Sequence, residues 1–159
     1  MPQRHMSYDD FVEIINGLPK GIKKVSLQGE GEPMLNKAFF IMASLVKSKG
    51  YEPYTITNGT VINENNITKI PILFEKIGVS IDSLSDIESR FIGRTLNKKV
   101  IDSIGLLKKV LPSRNIIIHT VDYGQDIKPL SKWCRDMGLG HFIQPLQQKE
   151  DYAINYDKV

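Results

Sequence analysis

The chain contains little cysteine and no long apolar run. Its single cysteine, Cys134, excludes an internal disulfide and any all-cysteine metal site built from this chain alone. No window approaches the roughly 18 consecutive apolar residues of a membrane-spanning helix, so we expect no membrane partner. The segment from Met1 to Asp10 is polar and lacks the apolar stretch of a signal peptide, which predicts a cytoplasmic protein.

The charge balance is nearly even. The 21 Lys and Arg residues against 18 Asp and Glu residues leave a formal charge of +3. This excess is spread along the chain and includes pairs such as Lys108-Lys109, which are typical of solvated helix faces, so we expect no nucleic-acid partner. With 41% hydrophobic residues the chain can bury a core, which predicts one globular domain over residues 1–159 and excludes intrinsic disorder.

Hydrophobic periodicity predicts strands that alternate with helices. We predict five strands, at Lys23 to Gln28, Pro53 to Thr57, Lys76 to Ile81, Asn115 to Val121 and His141 to Leu146. We predict helices at Ser7 to Leu18, Asn36 to Lys49, from near Asn63, Ser85 to Phe91, Asn97 to Val110 and Ile127 to Met137. This order indicates an α/β fold with a parallel sheet, as either an open doubly wound sheet or part of a β/α barrel.

Polar residues follow each predicted strand. In both architectures ligands bind at the carboxyl ends of the strands, so these residues indicate a polar small-molecule site. The strand ends are Gln28 to Pro33, Thr57 to Thr60, Ser80 to Ser83, His119 to Asp122, and Gln144-Pro145.

Four of these segments together resemble a known family, the radical S-adenosylmethionine (SAM) enzymes, most closely their branch with a C-terminal auxiliary-cluster (SPASM) domain. Gly29 to Asn36 is similar to the family's GGEP-type motif, and Thr57 to Thr60 to its TNG turn. Val79 to Ser83 and Phe142 to Leu146 are similar to later barrel strands. The resemblance implies part of a (β/α)6 TIM-like barrel, SAM as cofactor, and an oxidoreductase as the full-length parent.

The resemblance also implies which residues bind the cofactor. Beside the methionyl ammonium it implies Gly29, Glu30, Gly31 and Glu32. For the methionyl and ribose groups it implies Thr57, Asn58, Ser80 and Asp82. Along the substrate side or the adenine rim it implies His119, Asp122 and Gln144. It assigns no catalytic residue and no metal ligand to this chain.

One feature of the family pattern is missing. The family holds a four-iron four-sulfur cluster on the thiolates of a CxxxCxxC loop, and this chain has no such loop. We therefore expect a truncated core that lacks its first strand and is inactive by itself, with residues 147–159 as a polar tail leading towards a missing extension. The exposed edge of the strand at Lys23 to Gln28 would then pair with a second copy, giving a homodimer, or be covered by Met1 to His5. The substrate, a small molecule or a peptide, is not indicated.

Plainer interpretations remain open. The chain could be a non-catalytic α/β domain that binds a nucleoside or a protein partner, or a structural module. The glycine-rich loop and Asn58-Gly59 could be simple turns, and His119 a core histidine. We expect Cys134 and Trp133 to be packing residues. Arg90 and Arg94 could bind a carboxylate or a phosphate, or be ordinary exposed helix arginines.

Overall fold

A computed structural model describes residues 5–85 and 98–146. The α-helices are α1 (Tyr8–Asn16), α2 (Phe39–Ser48), α3 (Ile70–Leu73), α4 (Lys98–Val110) and α5 (Lys128–Asp136). The strands are β1 (Lys24–Ser26), β2 (Glu52–Tyr54), β3 (Ile56–Thr57), β4 (Ile77–Ser80), β5 (Ile116–Asp122) and β6 (Gly140–Pro145). Short 3-10 helices lie at Pro33–Leu35, Ile67–Lys69 and Ser113–Asn115.

All the strand pairs are parallel. β1 pairs with β2, and β3, β4, β5 and β6 follow one another in order. β2 and β3 are the two halves of one extended segment, which changes partner at Thr55: Leu27 N–H donates to the Tyr54 carbonyl (2.7 Å), and Gly78 N–H donates to the Thr55 carbonyl (2.8 Å). Five extended segments therefore lie side by side, and the predicted α/β fold with a parallel sheet is confirmed.

The helix boundaries follow local hydrogen bonding. Ser7 is the N-cap of α1 as predicted, since its hydroxyl oxygen accepts from the Asp10 amide (3.1 Å). The second helix begins later than predicted, at Phe39, because a 3-10 turn capped by Glu32 precedes it. The helix expected from Asn63 is only a 3-10 turn followed by the four residues of α3. The helix expected over Ser85 to Phe91 lies outside the described residues from position 86 onwards, as do Arg90 and Arg94.

The core lies between the helices and one face of the sheet. Ile77 and Val79 of β4 and Ile116 and Ile118 of β5 are fully buried on that face. They belong to the same buried apolar cluster as residues of the helices, including Val46, Ile104, Leu107 and Leu130. Because side chains alternate along a strand, the residues between them point to the other face.

That other face is less completely covered. We call it the open face and define it by the residues Tyr54, Ile56, Gly78, Ser80, Ile117, His119, Val121, Phe142 and Gln144, read from the strand register. Apart from Gly78, these residues are half-buried or exposed. The open face therefore offers surface that the packing of the helices does not use.

β1 lies at one end of this series. Within residues 5–85 and 98–146 it pairs with β2 alone, and Lys24 Nζ lies 2.9 Å from Glu52 Oε1 across that pair. Met1 to His5 were expected as one possible cover for this edge, and residues 1–4 of that segment lie outside the described residues. Pairing of this edge with a second copy stays a prediction. None of the described helices has the length and apolar character needed to cross a membrane.

Candidate functional site

The glycine-rich loop after β1 is open to solvent. Gly29, Glu30 and Gly31 are exposed, whereas Glu32 is half-buried. Gly31 adopts a φ of +93°, a left-handed conformation that favours glycine, and a Cβ added at Gly29 or Gly31 would meet nothing within 4 Å. The loop thus leaves its main chain accessible, as a site for a small polar ligand requires.

The Glu32 carboxylate joins this loop to the next strand end. Its Oε1 accepts from the Thr57 hydroxyl (2.7 Å) and the Met34 amide (3.1 Å), and its Oε2 accepts from the Asn58 amide (2.6 Å). Hydrogen bonds to an ionised acceptor are the stronger kind. Glu32 therefore has a structural role: it holds the two predicted motif segments together.

The turn at Thr57 to Thr60 is fixed by its own side chains. The Asn58 Oδ1 accepts from both the amide (2.9 Å) and the hydroxyl (2.7 Å) of Thr60, and the Thr57 hydroxyl accepts from the Gly59 amide (3.0 Å). Gly59 has a φ of +77°, and a Cβ there would lie 2.7 Å from Ser103 Oγ on α4. Glycine is therefore required here for the backbone shape and for the close approach of the helix.

The predicted ribose ligand Asp82 is only 5% exposed. Its Oδ1 accepts from the Val121 amide (2.8 Å), which ties the end of β4 to β5. Asp122, by contrast, is exposed, and its Oδ1 accepts from the Gly124 amide (3.0 Å) within a turn. Both carboxylates support the backbone at the strand ends, as Glu32 does.

Three predicted site residues, Ser80, His119 and Gln144, share the open face on β4, β5 and β6. His119 is not a fully buried core residue: it is half-buried, and its Nε2 lies 2.6 Å from the Tyr54 hydroxyl oxygen. Burial lowers the pKa of His119 and raises the pKa of Tyr54, so both groups are favoured in their neutral forms. The open face thus carries a neutral, hydrogen-bonded pair.

The sequence interpretation missed Tyr54 and Gly78 as parts of this arrangement. A Cβ on Gly78 would lie 2.8 Å from His119 Cδ2 and 2.9 Å from the Tyr54 hydroxyl oxygen. A glycine inside a strand is a known sign of close approach, and this signal was present in the sequence. The partner of Tyr54 could not be read, because it lies 65 residues away along the chain.

The resemblance implies two bound groups, SAM and an iron–sulfur cluster, and they fit the residues of this chain differently. The carboxylates and open main chain of the first loop suit the cationic and hydroxyl groups of SAM. An iron–sulfur cluster does not fit, because burial raises the pKa of the Cys134 thiol to about 11 and the residue is 1% exposed on α5. Within the described ranges no group of three His, Cys, Asp or Glu side chains could hold a metal ion.

The packing predictions for α5 agree with this environment. Cys134 belongs to the buried core, and Trp133 is partly buried against it. Neither side chain lies on a strand end. Both are therefore packing residues, as expected.

Two curated proteins, each named S-adenosylmethionine-dependent nucleotide dehydratase, are similar to this chain in sequence. The protein from the Thermoplasmatales archaeon (strain ISO4-H5) is 32% identical over 95 residues, which are 59% of this chain and 34% of that protein. The protein from Lacinutrix mariniflava (strain JCM 13824 / KCCM 42306 / AKS432) is 28% identical over 100 residues, which are 62% of this chain and 21% of that protein. The similarity thus spans about a third or less of each relative. No family model matches the chain.

Solved structures share the fold. Native anSMEcpe with bound AdoMet gives a TM-score of 0.66 at 20% sequence identity, covering 87% of this chain and 41% of that one. A domain of pyruvate-formate lyase-activating enzyme from Bacteroides vulgatus ATCC 8482 gives a TM-score of 0.53 at 14% identity, covering 77% of this chain and 99% of that one. At these identities the likeness concerns the fold alone.

Proposed function

We propose, from the premise that this chain is a relative of the radical SAM enzymes, that it forms the SAM-binding core of a larger enzyme of that kind. The predicted kinship is confirmed by the named sequence relatives, and the shared fold is consistent with it. The placement in the SPASM branch stays a prediction. Binding of SAM and the role of the individual residues are our proposal.

The bridge made by Glu32 is the observation that carries this proposal. It joins the Gly29 to Pro33 loop to the Thr57 to Thr60 turn through two hydrogen bonds of 2.6 and 2.7 Å. These are two of the segments in which the sequence resembles the family. A ligand at the carboxyl ends of the strands would meet both segments at once.

Charge and hydrogen-bonding capacity suit the parts of SAM. Glu30 and Glu32 supply negative charge for the methionyl ammonium, and the exposed main chain at Gly29 and Gly31 lets the ligand approach closely. Ser80 supplies a hydroxyl at the end of β4, on the open face. The bonds that Asp82 and Asn58 make to neighbouring backbone support a positioning role for these two residues.

The chain by itself does not cleave SAM reductively in this proposal. Three thiolates hold the cluster in the family, and this chain has one cysteine, whose buried thiol stays protonated at neutral pH. The cluster ligands would come from elsewhere in the parent protein. What this chain contributes is binding and orientation of the cofactor.

The names of the sequence relatives indicate the substrate class of the parent. Both are SAM-dependent nucleotide dehydratases. We extend this to the present chain as a proposal: the complete protein acts on a nucleotide. The open face, with its neutral polar pair and exposed aromatic ring, supports such a substrate.

Isothermal titration of the chain with SAM tests the proposal. We expect measurable binding and a loss of about tenfold in affinity, or about 1.4 kcal/mol, for Glu30→Gln, which removes one negative charge from an exposed loop residue without changing its size. Glu75→Gln is the matched control, because Glu75 is also exposed and lies outside all the strand-end segments. The control should bind SAM like the unaltered chain.

Two results would contradict the proposal. The first is absence of SAM binding by a folded chain, which would favour the alternative of a non-catalytic domain with another ligand or a protein partner. The second is formation of 5′-deoxyadenosine by the chain with iron, sulfide and a reductant, which would show that the cysteine-poor core is sufficient for cleavage.

A further inference from the structure

The side chain of Asn36 joins two segments that lie 30 residues apart in the chain. Its Nδ2 donates to the Met6 carbonyl (3.0 Å), shortly before α1, and its Oδ1 accepts from the Ala38 amide (2.9 Å), at the start of α2. Asn36 ends the segment that resembles the GGEP-type motif, yet the resemblance implies no role for it. Both polar atoms of its amide group have partners, and we call the bond to Met6 the Asn36 link.

A single turn of 3-10 helix, Pro33–Leu35, connects Asn36 to Glu32. Glu32 is the N-cap of this turn and Asn36 is its C-cap. The Glu32 Oε1 accepts from the Met34 amide (3.1 Å), and the Asn36 amide donates to the Pro33 carbonyl (3.1 Å). Hydrogen bonds therefore close both ends of a turn of three residues, and a displacement of Glu32 is passed on to Asn36.

Glu32 is also part of the candidate site. Its carboxylate accepts from the Thr57 hydroxyl and the Asn58 amide, and in the proposed function its charge lies near the SAM ammonium. A cation that binds there changes the field and the hydrogen bonding at this carboxylate. Since the short turn continues to Asn36, the change can reach Met6 through the Asn36 link.

The helix α1 is held in place by contacts of its own. The Ser7 hydroxyl accepts from the Asp10 amide (3.1 Å), and Phe11 and Ile15 are buried in the core. These contacts do not involve Asn36, so we expect changes that pass through the Asn36 link to end near Ser7. The part that responds is therefore the stretch just before α1.

We propose that Asn36 is a positioning residue of the glycine-rich loop, which couples Glu32 to the segment from His5 to Ser7. Ligand binding at Glu32 and the placement of Met6 then stabilise each other, since coupling between two positions is reciprocal. This inference rests on the proposed function for the identity of the ligand, SAM. The hydrogen bonds that carry the coupling are already present in the chain without a ligand.

Asn36→Asp separates the two halves of this side chain. Aspartate keeps an oxygen that accepts from the Ala38 amide but has no N–H for the Met6 carbonyl, so α2 keeps its start and the Asn36 link is lost. We expect SAM to bind about fivefold more weakly, at the low end of coupling between sites. The added negative charge attracts a cationic ligand, so it would not explain a loss.

The Ser7 amide nitrogen reports the Asn36 link directly, because it shares a peptide bond with the Met6 carbonyl. In the ¹⁵N-labelled chain we expect the Ser7 amide signal to shift as SAM is added. In Asn36→Asp this response should be absent. Asn36→Ala removes the link without adding a charge, and it should weaken SAM binding as well.

Asn66→Asp is the matched control. Asn66 is half-buried like Asn36, its Nδ2 donates to the Val61 carbonyl (2.8 Å), and its Oδ1 accepts from the Asn63 amide (2.9 Å). The same chemical change at this position should leave both the affinity for SAM and the response of Ser7 unaltered. Equal affinities of Asn36→Asp and Asn66→Asp for SAM would overturn the inference while the proposed function stands.

A double-mutant cycle without ligand separates the inference from the proposed function. Glu32→Gln should shift the Ser7 amide signal when Asn36 is present and leave it in place in the Asn36→Asp background. If SAM does not bind but this pattern is found, the coupling stands and the SAM-binding proposal is wrong. If Glu32→Gln leaves Ser7 unchanged in both backgrounds, the coupling is wrong whether or not SAM binds.

Discussion

The two faces of the sheet differ in what their residues do. On the helix-facing side, Ile77, Val79, Ile116 and Ile118 are completely buried and contribute packing. On the open face, the intervening positions include Gly78, Ser80 and His119, and they carry hydrogen-bonding groups and half-buried rings. The same strands thus supply stability on one side and binding surface on the other.

This difference shows how function is separated from folding along a strand. Because side chains alternate, a residue on the open face can change without creating a cavity in the core. The strand-end residues form a third class, since Glu32 and Asp82 bond to neighbouring segments and so affect both folding and the site. Substitutions chosen in matched pairs can test each part of this comparison.

The largest effect is expected in the core. Ile118→Ala should lower the free energy of unfolding by about 2 to 5 kcal/mol, because it leaves a cavity at a fully buried position. Ile117→Ala, one residue earlier on the open face, should cost clearly less, since that side chain is only half-buried. Urea denaturation of both variants measures the difference. Equal losses would contradict the distinction between the two faces.

The next largest effect is expected at Gly78. Gly78→Ala should lower the free energy of unfolding by about 1 to 3 kcal/mol, because the added methyl group meets three side chains at 2.8 to 2.9 Å. Gly140→Ala is the comparison: its nearest contact is the end of a flexible side chain, Ile117 Cδ1 at 2.5 Å. Thermal denaturation should show a smaller loss of stability for Gly140→Ala than for Gly78→Ala. A larger loss for Gly140→Ala would contradict the role of close contacts at Gly78.

A smaller effect is expected at Glu32, whose carboxylate joins the glycine-rich loop to the Thr57 to Thr60 turn. Glu32→Gln should lower the free energy of unfolding by about 1 to 2 kcal/mol, because glutamine keeps only one acceptor oxygen and its amide nitrogen accepts no hydrogen bond, so either the Thr57 or the Asn58 donor loses its acceptor. Chemical denaturation measures this loss, and hydrogen exchange should show faster exchange of the Asn58 amide. An unchanged exchange rate at Asn58 would mean that the bridge does not hold the turn.

The smallest effect concerns pH. Burial lowers the pKa of His119 and of His141 from the ordinary value of 6.5, so the unfolded chain takes up these protons at higher pH than the folded chain. Their contribution to stability is therefore present above pH 6.5 and is lost as the pH falls below it, through the lowered pKa values. The thermal midpoint should therefore fall as the pH is lowered through this range. The fall should be smaller for the double variant His119→Gln/His141→Gln. A slope that is the same in the double variant would exclude the histidines as its cause.

Local sequence signals predicted much of the fold. Ser7 marked the start of the first helix, and short apolar stretches marked the strands that became β4 and β5. These features depend on residues that are close together in the chain, so they can be predicted from a single sequence. The glycine-rich loop and the Asn58-Gly59 turn were likewise located correctly.

Features that depend on distant partners could not be predicted. The change of partner at Thr55 divides one predicted strand into β2, which pairs with β1, and β3, which pairs with β4. The bond between Tyr54 and His119 and the bridge from Glu32 to Thr57 join residues far apart in the chain. The roles of these residues follow from their proximity in three dimensions, which cannot be predicted from residue type and sequence spacing.

The central claim is that the strand-end loops of this chain bind SAM. Its most direct test is a map of amide chemical shifts in the ¹⁵N-labelled chain as SAM is added. The account predicts saturable shifts that concentrate at Gly29 to Glu32 and at Asn58 to Thr60, with little change along α1. Absence of shifts at both loops, or shifts confined to α1 and its surroundings, would contradict it.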